Sequence, residues 1–327
     1  MRNTCIGSLG IGLLLLAVVG GCKTPSPSLN QPLTGQQLAA LFAQARDPRT
    51  FWITVYQGAN GPVFTDANRL HPEQEGALGW ASARRSKAPV VRLKKNSFTH
   101  FTALMDTSAR ESWLSLSSRL SMGATLLAPP FSVKPTHLAD DQAGYLGVVD
   151  KVIFDGVYME TALFYLRAAT GPLGPLTRRV EGTPPDAVIG CDMLKAFEYV
   201  QFDYPRRQTQ VSSTRPFQPN EKRLLAKLPL KDLKGIFSVE ALINGKPEMV
   251  ILDTAGDFEV AMERVPADGV VHRLALGDLV LLNTRVVAAQ DQGLGLPSVP
   301  RIGRQLLSRF CMTVAGKKNI VYFEKPE

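Results

Sequence analysis

Two aspartates, Asp106 and Asp253, stand at the ends of short apolar runs, and each is followed by a threonine. The second run reads VILDTAG over residues 250–256, and a similar string, ALMDTSA, spans residues 103–109. Carboxylates are common side chains of acid–base chemistry. An ionised carboxylate beside apolar surface is costly unless it is paired, hydrogen-bonded or neutralised. We therefore expect both acids to be held by partners.

The two aspartate strings belong to an internal repeat with an offset of 147 residues (253 − 106). Residues 88–109 align with residues 235–256, and each copy reads as a strand, a polar turn and a second strand that ends at the acid. The second copy carries Asn244-Gly245 at the turn, a pair that tolerates positive φ. The first copy has residues 95–97 there.

Each copy continues to a second shared string, at residues 188–197 and 301–310. In both, an Ile-Gly pair closes an apolar strand, and a Leu and a Phe three residues apart form the buried edge of a short helix. A pair of strands is predicted after each, over residues 199–211 and 311–324. The same order of elements thus occurs twice, which indicates two similar lobes.

The pairing of Asp-Thr-small-small with a downstream Ile-Gly-x-x-x-Leu-x-x-Phe resembles the retropepsin-like aspartic proteases, including bacterial periplasmic members. Two copies in one chain are similar in plan to a two-lobed pepsin. The resemblance covers residues 88–327. It implies a mainly β fold: two tandem acid-protease β-barrel lobes related by a pseudo-twofold axis, preceded here by a short N-terminal helix.

The resemblance places Asp106 and Asp253 at the two catalytic positions. Like charges at close range cannot both ionise comfortably, so the pair shares one proton and titrates as a unit. One member takes a proton from a water, and the other stabilises the developing tetrahedral oxygen. Thr107 and Thr254 match the threonines that hydrogen-bond across the axis. The chemistry requires no metal and no cofactor.

Ser108 and Ala255 stand where family members usually carry glycine, whose amide helps to hold the carboxylate. Two main hypotheses follow. The leading one is an aspartic endopeptidase whose peptide or protein substrate lies in the interlobe cleft as an added strand. The alternative is a catalytically inactive relative that binds peptide or an envelope component in that cleft. A structural envelope lipoprotein is a third reading.

The first copy is longer than the second between the aspartate and the Ile-Gly glycine, 84 residues (190 − 106) against 50 (303 − 253). The extra residues, near 114–150, have the length to form the hairpin that covers the cleft in two-lobed relatives, with a turn at Ala143-Gly144. Tyr145 is then the candidate flap residue for contact with substrate. A surface loop is the interpretation that we favour for this stretch, and the flap is its alternative. The second lobe is expected to have no flap.

Residues 1–21 are predicted to be a lipoprotein signal peptide, with a basic start, an apolar core at 11–19 and small residues before Cys22. Cys22 would be lipidated, and an ordinary cleaved signal is the alternative. Lys23, rather than an acidic residue, favours the outer membrane by resemblance. The predicted localisation is the bacterial envelope, with the chain lipid-anchored and facing the periplasm.

A capping box at Thr34 and Gln37 predicts a short amphipathic helix near the anchor. The predicted organisation is a signal peptide (1–21), a tether (22–33), an N-terminal extension with a helix (34–87), lobe 1 (88–212), a connector (213–227) and lobe 2 (228–327).

Composition and motifs argue against several other classes of function. The chain has 327 residues, 45% of them hydrophobic, and a net charge of +8. Its basic clusters carry no interleaved aromatics or nucleic-acid motif, so we read them as solvated faces and expect no nucleic-acid partner. The four histidines lack metal-ligand spacing. Cys191 and Cys311 form either a disulfide or two buried thiols. Pairing of the lobes within one chain predicts a monomer.

Overall fold

The computed structural model describes residues 31–58, 61–82, 86–139, 142–171, 173 and 184–327. The predicted signal peptide and residues 22–30 of the predicted tether, Cys22 included, lie outside these residues. The described chain is mainly β and forms two lobes, which confirms the predicted fold class. Within the described residues, no helix is long and apolar enough to cross a membrane.

The N-terminal extension begins with helix α1 (Gly35–Phe42), and its predicted capping box is present. The amide of Thr34 donates to Oε1 of Gln37 at 2.9 Å, and Thr34 Oγ1 accepts from the Gln37 amide at 3.3 Å. Four strands follow: β1 (Thr54–Gly58), β2 (Gly61–Thr65), β3 (Arg69–Leu70) and β4 (Glu75–Gly79). Strands β3 and β4 join sheets of the lobes, so the extension is built into the body of the protein.

Lobe 1 is built around one long mixed sheet. Its elements are β5 (Val90–Lys94), β6 (His100–Met105), β7 (Trp113–Leu114), α2 (Arg119–Met122), β8 (Thr125–Leu126), β9 (Ser132–Val133), β10 (Gly144–Phe154), β11 (Val157–Arg167), β12 (Ala187–Ile189), α3 (Cys191–Leu194), β13 (Tyr199–Asp203) and β14 (Gln208–Ser212). The sheet order is β3-β11-β7-β12-β6-β5-β10-β8, with β9 beside β10. An additional pairing of β10 with β11 curls the sheet toward a barrel.

Lobe 2 repeats this plan with fewer strands. Its elements are β15 (Leu224–Pro229), β16 (Lys231–Leu233), β17 (Ile236–Ile243), β18 (Lys246–Asp253), β19 (Val260–Met262), β20 (Val270–Leu276), β21 (Leu279–Ala288), β22 (Arg301–Gly303), α4 (Arg304–Leu307), β23 (Cys311–Ala315) and β24 (Ile320–Glu324). The sheet order is β16-β17-β18-β22-β19-β21-β20, and β17 also pairs with β20.

The hairpin β17–β18 turns where the sequence predicted. Asn244 and Gly245 have φ values of 50° and 84°, and Ile243 pairs with Lys246 across the two-residue loop. Positive φ at both central residues gives the turn a twist that matches the flanking strands. The Ala143-Gly144 turn predicted in lobe 1 is not formed: Gly144 lies inside the sheet, paired with Val133.

A six-stranded antiparallel sheet ties the lobes together, in the order β15-β24-β23-β13-β14-β4. Strands β13 and β14 come from lobe 1, and β15, β23 and β24 come from lobe 2. The largest core cluster draws residues from both lobes and from this sheet, including Phe154, Phe202, Ile251 and Phe323. Full burial of such a side chain contributes about 1.5 to 3 kcal/mol, so this shared core fixes one lobe against the other.

Candidate active site

Both aspartates sit at the ends of central strands, one in each lobe. Asp106 follows β6, which lies parallel to β12, and its amide donates to the Ile189 carbonyl at 3.0 Å. Asp253 is the last residue of β18, which lies parallel to β22, and it pairs with Gly303. Each acid therefore lies at the end of a strand in the interior of its lobe's sheet.

The carboxylate of Asp106 is fully buried and is held by the residue in the usual glycine position. Its Oδ1 accepts the Ser108 amide at 2.8 Å and the Ser108 hydroxyl at 2.7 Å. The serine thus keeps the amide contact and adds a hydroxyl donor. Hydrogen bonds to a carboxylate favour its ionised form.

The carboxylate of Asp253 is also fully buried. Its Oδ1 accepts the amides of Ala255, at 3.2 Å, and Gly256, at 2.7 Å. A Cβ atom at Gly256 would lie 2.9 Å from the carboxyl carbon of Asp253, so glycine permits the loop to fold this closely around the acid. Neither Ser108 nor Ala255 has a positive φ, so the backbone at these two positions does not require glycine.

The threonines after the two aspartates bond reciprocally across the interface of the lobes. The amide of Thr107 donates to Thr254 Oγ1 at 3.1 Å, and the amide of Thr254 donates to Thr107 Oγ1 at 3.2 Å. Each hydroxyl also donates to a carbonyl of the opposite lobe, Leu252 at 2.6 Å and Met105 at 2.7 Å. This arrangement locks the two aspartate loops together.

A buried arginine from lobe 2 faces one aspartate of the pair. Arg301 Nη1 lies 3.5 Å from Asp253 Oδ2, and both side chains are almost completely buried. Arg301 Nη2 also donates to the Gly295 carbonyl. Arg304, on the next turn of chain, donates to the Ala255 carbonyl at 2.5 Å and pairs with Asp257 at 3.1 Å. Two cations therefore flank the Asp253 loop.

The buried phenol of Tyr204 interacts electrostatically with both Asp106 and Asp253. Burial raises the pKa of Tyr204, Arg304 opposes that rise, and the charges of Asp253 and Asp106 add to it. The phenol hydroxyl has no hydrogen-bond partner within the described part of the chain. Because both carboxylates act on the pKa of this single side chain, Tyr204 belongs to the electrostatic environment of the pair.

The segment between strands β9 and β10 contacts lobe 2. Leu138 forms an antiparallel bridge with Leu294. The Ala139 amide donates to the Gly293 carbonyl at 2.9 Å, and the Gly295 amide donates to the His137 carbonyl at 3.1 Å. We call these contacts, made by residues 137–139 and 293–295, the cross-lobe bridge. It occupies the place in the chain where the sequence predicted a flap.

Apolar side chains from both lobes pack around the aspartate loops. Ala109 and Ala255, which sit on the two loops, share one buried cluster with Trp113, Leu138 and Phe258. Both carboxylates are fully buried in the described conformation, and this apolar cluster packs beside the loops that carry them.

Not all predicted site residues come to the pair. Tyr145, the flap candidate, lies at the start of β10 and packs edge-on against Phe42 of α1, with ring centroids 4.9 Å apart. Cys22 lies outside the described residues. Cys191 and Cys311 are free and buried, so they form no disulfide with each other. Burial raises the pKa of both thiols, that of Cys311 to about 12.

Sequence reasoning missed three buried groups of the site region. Arg301 is one, and its signal was available: the matching position of the first copy is Val188. The others are Glu111 and Asp192, whose pKa values burial raises to about 7 and about 6. Neither acid ends an apolar run, so nothing in the sequence pattern marked them as buried.

The comparisons with known proteins bear on the fold. The crystal structure of the aspartic proteinase from Irpex lacteus is similar, with a TM-score of 0.50 over 78% of this chain and 98% of that chain. This chain has a pepsin-like fold. The identity is only 10%, so the similarity extends to architecture alone. No family profile and no curated protein sequence matches the chain.

Within that pepsin-like fold, the described region contains no group of three or more His, Cys, Asp or Glu side chains placed to hold a metal ion. Among the side chains described, the buried carboxylates of Asp106 and Asp253 are the best suited to acid–base chemistry.

Proposed function

We propose that this protein is an aspartic-type endopeptidase of the bacterial envelope, lipid-anchored through Cys22 and facing the periplasm. Asp106 and Asp253 would activate a water for attack on a peptide carbonyl. The observation that carries the proposal is the reciprocal bonding of Thr107 and Thr254, which joins two symmetric aspartate loops in the fully buried interface of the lobes. A scaffold that only needed a core would not require two acids there.

Each residue has a defined task in the proposed reaction. The ionised aspartate takes a proton from the water, whose oxygen bonds to the peptide carbonyl carbon, while the protonated aspartate donates to the carbonyl oxygen. In the second step the proton taken from water passes to the amide nitrogen, the C–N bond breaks, and the other carboxylate recovers its proton from the diol. The loop amides that hold the carboxylates keep both in position without reorganisation.

The burial of the acid pair adds a requirement to the proposal. Because both acids are fully buried, the site must open before a peptide can enter, and we propose that residues 137–139 then part from residues 293–295. Such lid motions commonly control access in enzymes. The bridge includes two backbone hydrogen bonds and one pair of leucines.

A second candidate is a non-catalytic protein that binds peptide or an envelope component in the same cleft. The contact of Arg301 with Asp253 favours it, because a permanent countercharge makes that carboxylate a weaker base. The two functions differ in whether the bound peptide is cut.

The test is a cleavage assay on the mature chain, expressed from Lys23, with a mixed peptide library from acid to neutral pH. We expect cleavage that a statine-type transition-state mimic inhibits and that is lost in Asp106→Asn. Peptide binding without cleavage at any pH, unchanged in Asp106→Asn, would support the second candidate instead.

A further inference from the structure

We propose that Arg301 restricts the aspartate pair to acidic pH, as a positioning residue that holds Asp253 ionised. This inference rests on the proposed function, since it concerns the state of the same pair. Arg301 belongs to lobe 2, and lobe 1 has no equivalent residue that would control the protonation of the pair.

The strand register places Arg301 on the same face of the sheet as Asp253. Arg301 pairs with Ile251 and Gly303 pairs with Asp253, so these four residues share one face of the parallel strands. Gly303 has no side chain to stand between them. The guanidinium is further oriented by the Gly295 carbonyl, which accepts from Nη2. Its position is therefore set by the main chain on two sides.

The internal repeat indicates that the fold does not require this arginine. The equivalent position in lobe 1 is Val188, which pairs with Leu104 two residues before Asp106 and is fully buried. An apolar residue thus fills the same site next to the other aspartate. A buried charge is costly without a partner, so the partner, Asp253, is the physical reason for Arg301 to be tolerated.

The positive charge of Arg301 changes the protonation of the two carboxylates. Two adjacent carboxylates share a proton because they cannot both ionise comfortably. An arginine side chain stays charged at all working pH values, and beside the pair it stabilises the doubly ionised form. That form has no proton to donate to a substrate carbonyl. Catalysis then requires a pH low enough to return one proton to the pair.

Two neutral groups around the pair do not supply this control. Burial raises the pKa of Tyr204 and of Cys191, so both stay neutral through the acidic and neutral range. Arg304 adds a second permanent positive charge, shared with Asp257.

His137 is a buried imidazole of the cross-lobe bridge. Glu111 and Asp192 are buried acids whose pKa values burial raises to about 7 and about 6. The experiment must separate the contributions of these three residues.

The test compares Arg301→Val, which copies the lobe 1 residue, with Arg301→Lys, which keeps a positive charge. Arg264→Met is the matched control, since it removes an exposed positive charge from the same lobe. We expect the alkaline limb of the kcat/KM profile to move upward by about 1 to 3 pH units in Arg301→Val. It should move little in Arg301→Lys and not at all in Arg264→Met, and the shift should persist in His137→Gln, Glu111→Gln and Asp192→Asn backgrounds.

A second readout does not depend on activity. Without Arg301, the pair binds a proton more tightly in the folded chain than in the unfolded chain, so the stability of Arg301→Val falls as the pH rises above the unfolded aspartate range. We expect the Tm deficit of Arg301→Val to be large at neutral pH and to shrink on acidification. Arg301→Val/Asp253→Asn, which removes both charges, should recover Tm at neutral pH and serves if the single variant does not fold.

The outcomes separate the two claims. A Tm deficit that is equal at all pH values, with an unchanged activity profile, would overturn the role of Arg301 and leave the peptidase proposal standing. Absence of cleavage by the wild type and by every variant would overturn the peptidase proposal, and the Tm series would still decide whether Arg301 controls proton binding by the pair.

Discussion

The hydroxyl oxygens of Thr107 and Thr254 lie 3.3 Å apart in the buried interface between the lobes, and each accepts the backbone amide of the other residue. These residues are 147 positions apart in the chain. Their mutual contact joins the two aspartate loops directly, independently of the six-stranded sheet that joins the lobes elsewhere. The geometry of the acid pair depends on this contact.

Loss of one threonine hydroxyl should weaken the whole molecule. In Thr107→Val, the Leu252 carbonyl and the Thr254 amide lose a buried partner. We expect the free energy of unfolding to fall by about 1 to 3 kcal/mol, measured by urea denaturation. Thr107→Ser keeps the hydroxyl and should lose clearly less. Equal losses in both variants would show that the methyl packing, rather than the hydrogen bonds, stabilises the interface.

A disulfide across the cross-lobe bridge should switch activity off. Leu138 and Leu294 form a non-hydrogen-bonded antiparallel pair, since the bonds run between their neighbours. Such pairs have Cα atoms about 4.5 Å apart, which suits a disulfide. In Leu138→Cys/Leu294→Cys, we expect cleavage to be lost under oxidising conditions and restored by dithiothreitol.

The single variants Leu138→Cys and Leu294→Cys are the controls for this disulfide, and their activity should not respond to the reductant. The native thiols Cys191 and Cys311 are buried and should not interfere. Full activity of the oxidised double variant would mean that peptides reach the acids without parting the bridge.

The fold could be predicted largely because each element of the repeat carries a local signal. Asn244-Gly245 marks its turn through positive φ, and the Ile-Gly strings mark the ends of β12 and β22. The flap was harder to place. Gly144 suggested a turn but extends a strand instead, since β9 and β11 on either side offer it backbone partners.

The candidate site could be predicted in part. Apolar runs that end in an acid marked Asp106 and Asp253, and the repeat partner Val188 marked the position of Arg301 as a buried one. Burial of Glu111 and Asp192, in contrast, results from tertiary packing that no local pattern encodes. The edge contact of Tyr145 with α1 also depends on how the extension folds back, which composition and spacing do not specify.

Stability should depend on pH through Glu111. Burial raises the pKa of this carboxyl to about 7, against lowering contributions from Arg110 and Thr136. A carboxyl whose folded pKa exceeds its unfolded value destabilises the fold as the pH rises from the unfolded pKa to the folded one. We expect the free energy of unfolding to fall through this group by up to about 3 kcal/mol from acidic to neutral pH.

Glu111→Gln tests this dependence, because the amide does not ionise. Its stability should decline less between about pH 4.5 and about pH 7 than that of the wild type. Asp192, whose pKa burial raises to about 6, adds a decline in the same direction in both proteins. Parallel stability curves for the wild type and Glu111→Gln would contradict a raised pKa at Glu111.

The two described cysteines should be inert in the folded protein. Both are buried thiols with raised pKa values, so little thiolate forms at neutral pH. In the mature chain expressed from Lys23, we expect no reaction with Ellman's reagent before denaturation and two thiols per chain afterwards, with or without prior reduction. A count of zero without reduction would reveal a disulfide.

The most direct measurement is kcat/KM for one peptide at acidic pH in the wild type, Asp106→Asn, Asp253→Asn and the double variant. We expect each single substitution to reduce kcat/KM by about a thousandfold or more, and the double variant to lose little beyond that, because residues that act as a unit give non-additive losses. Retention of activity within about tenfold in either single variant, or losses that multiply in the double variant, would contradict joint action of Asp106 and Asp253.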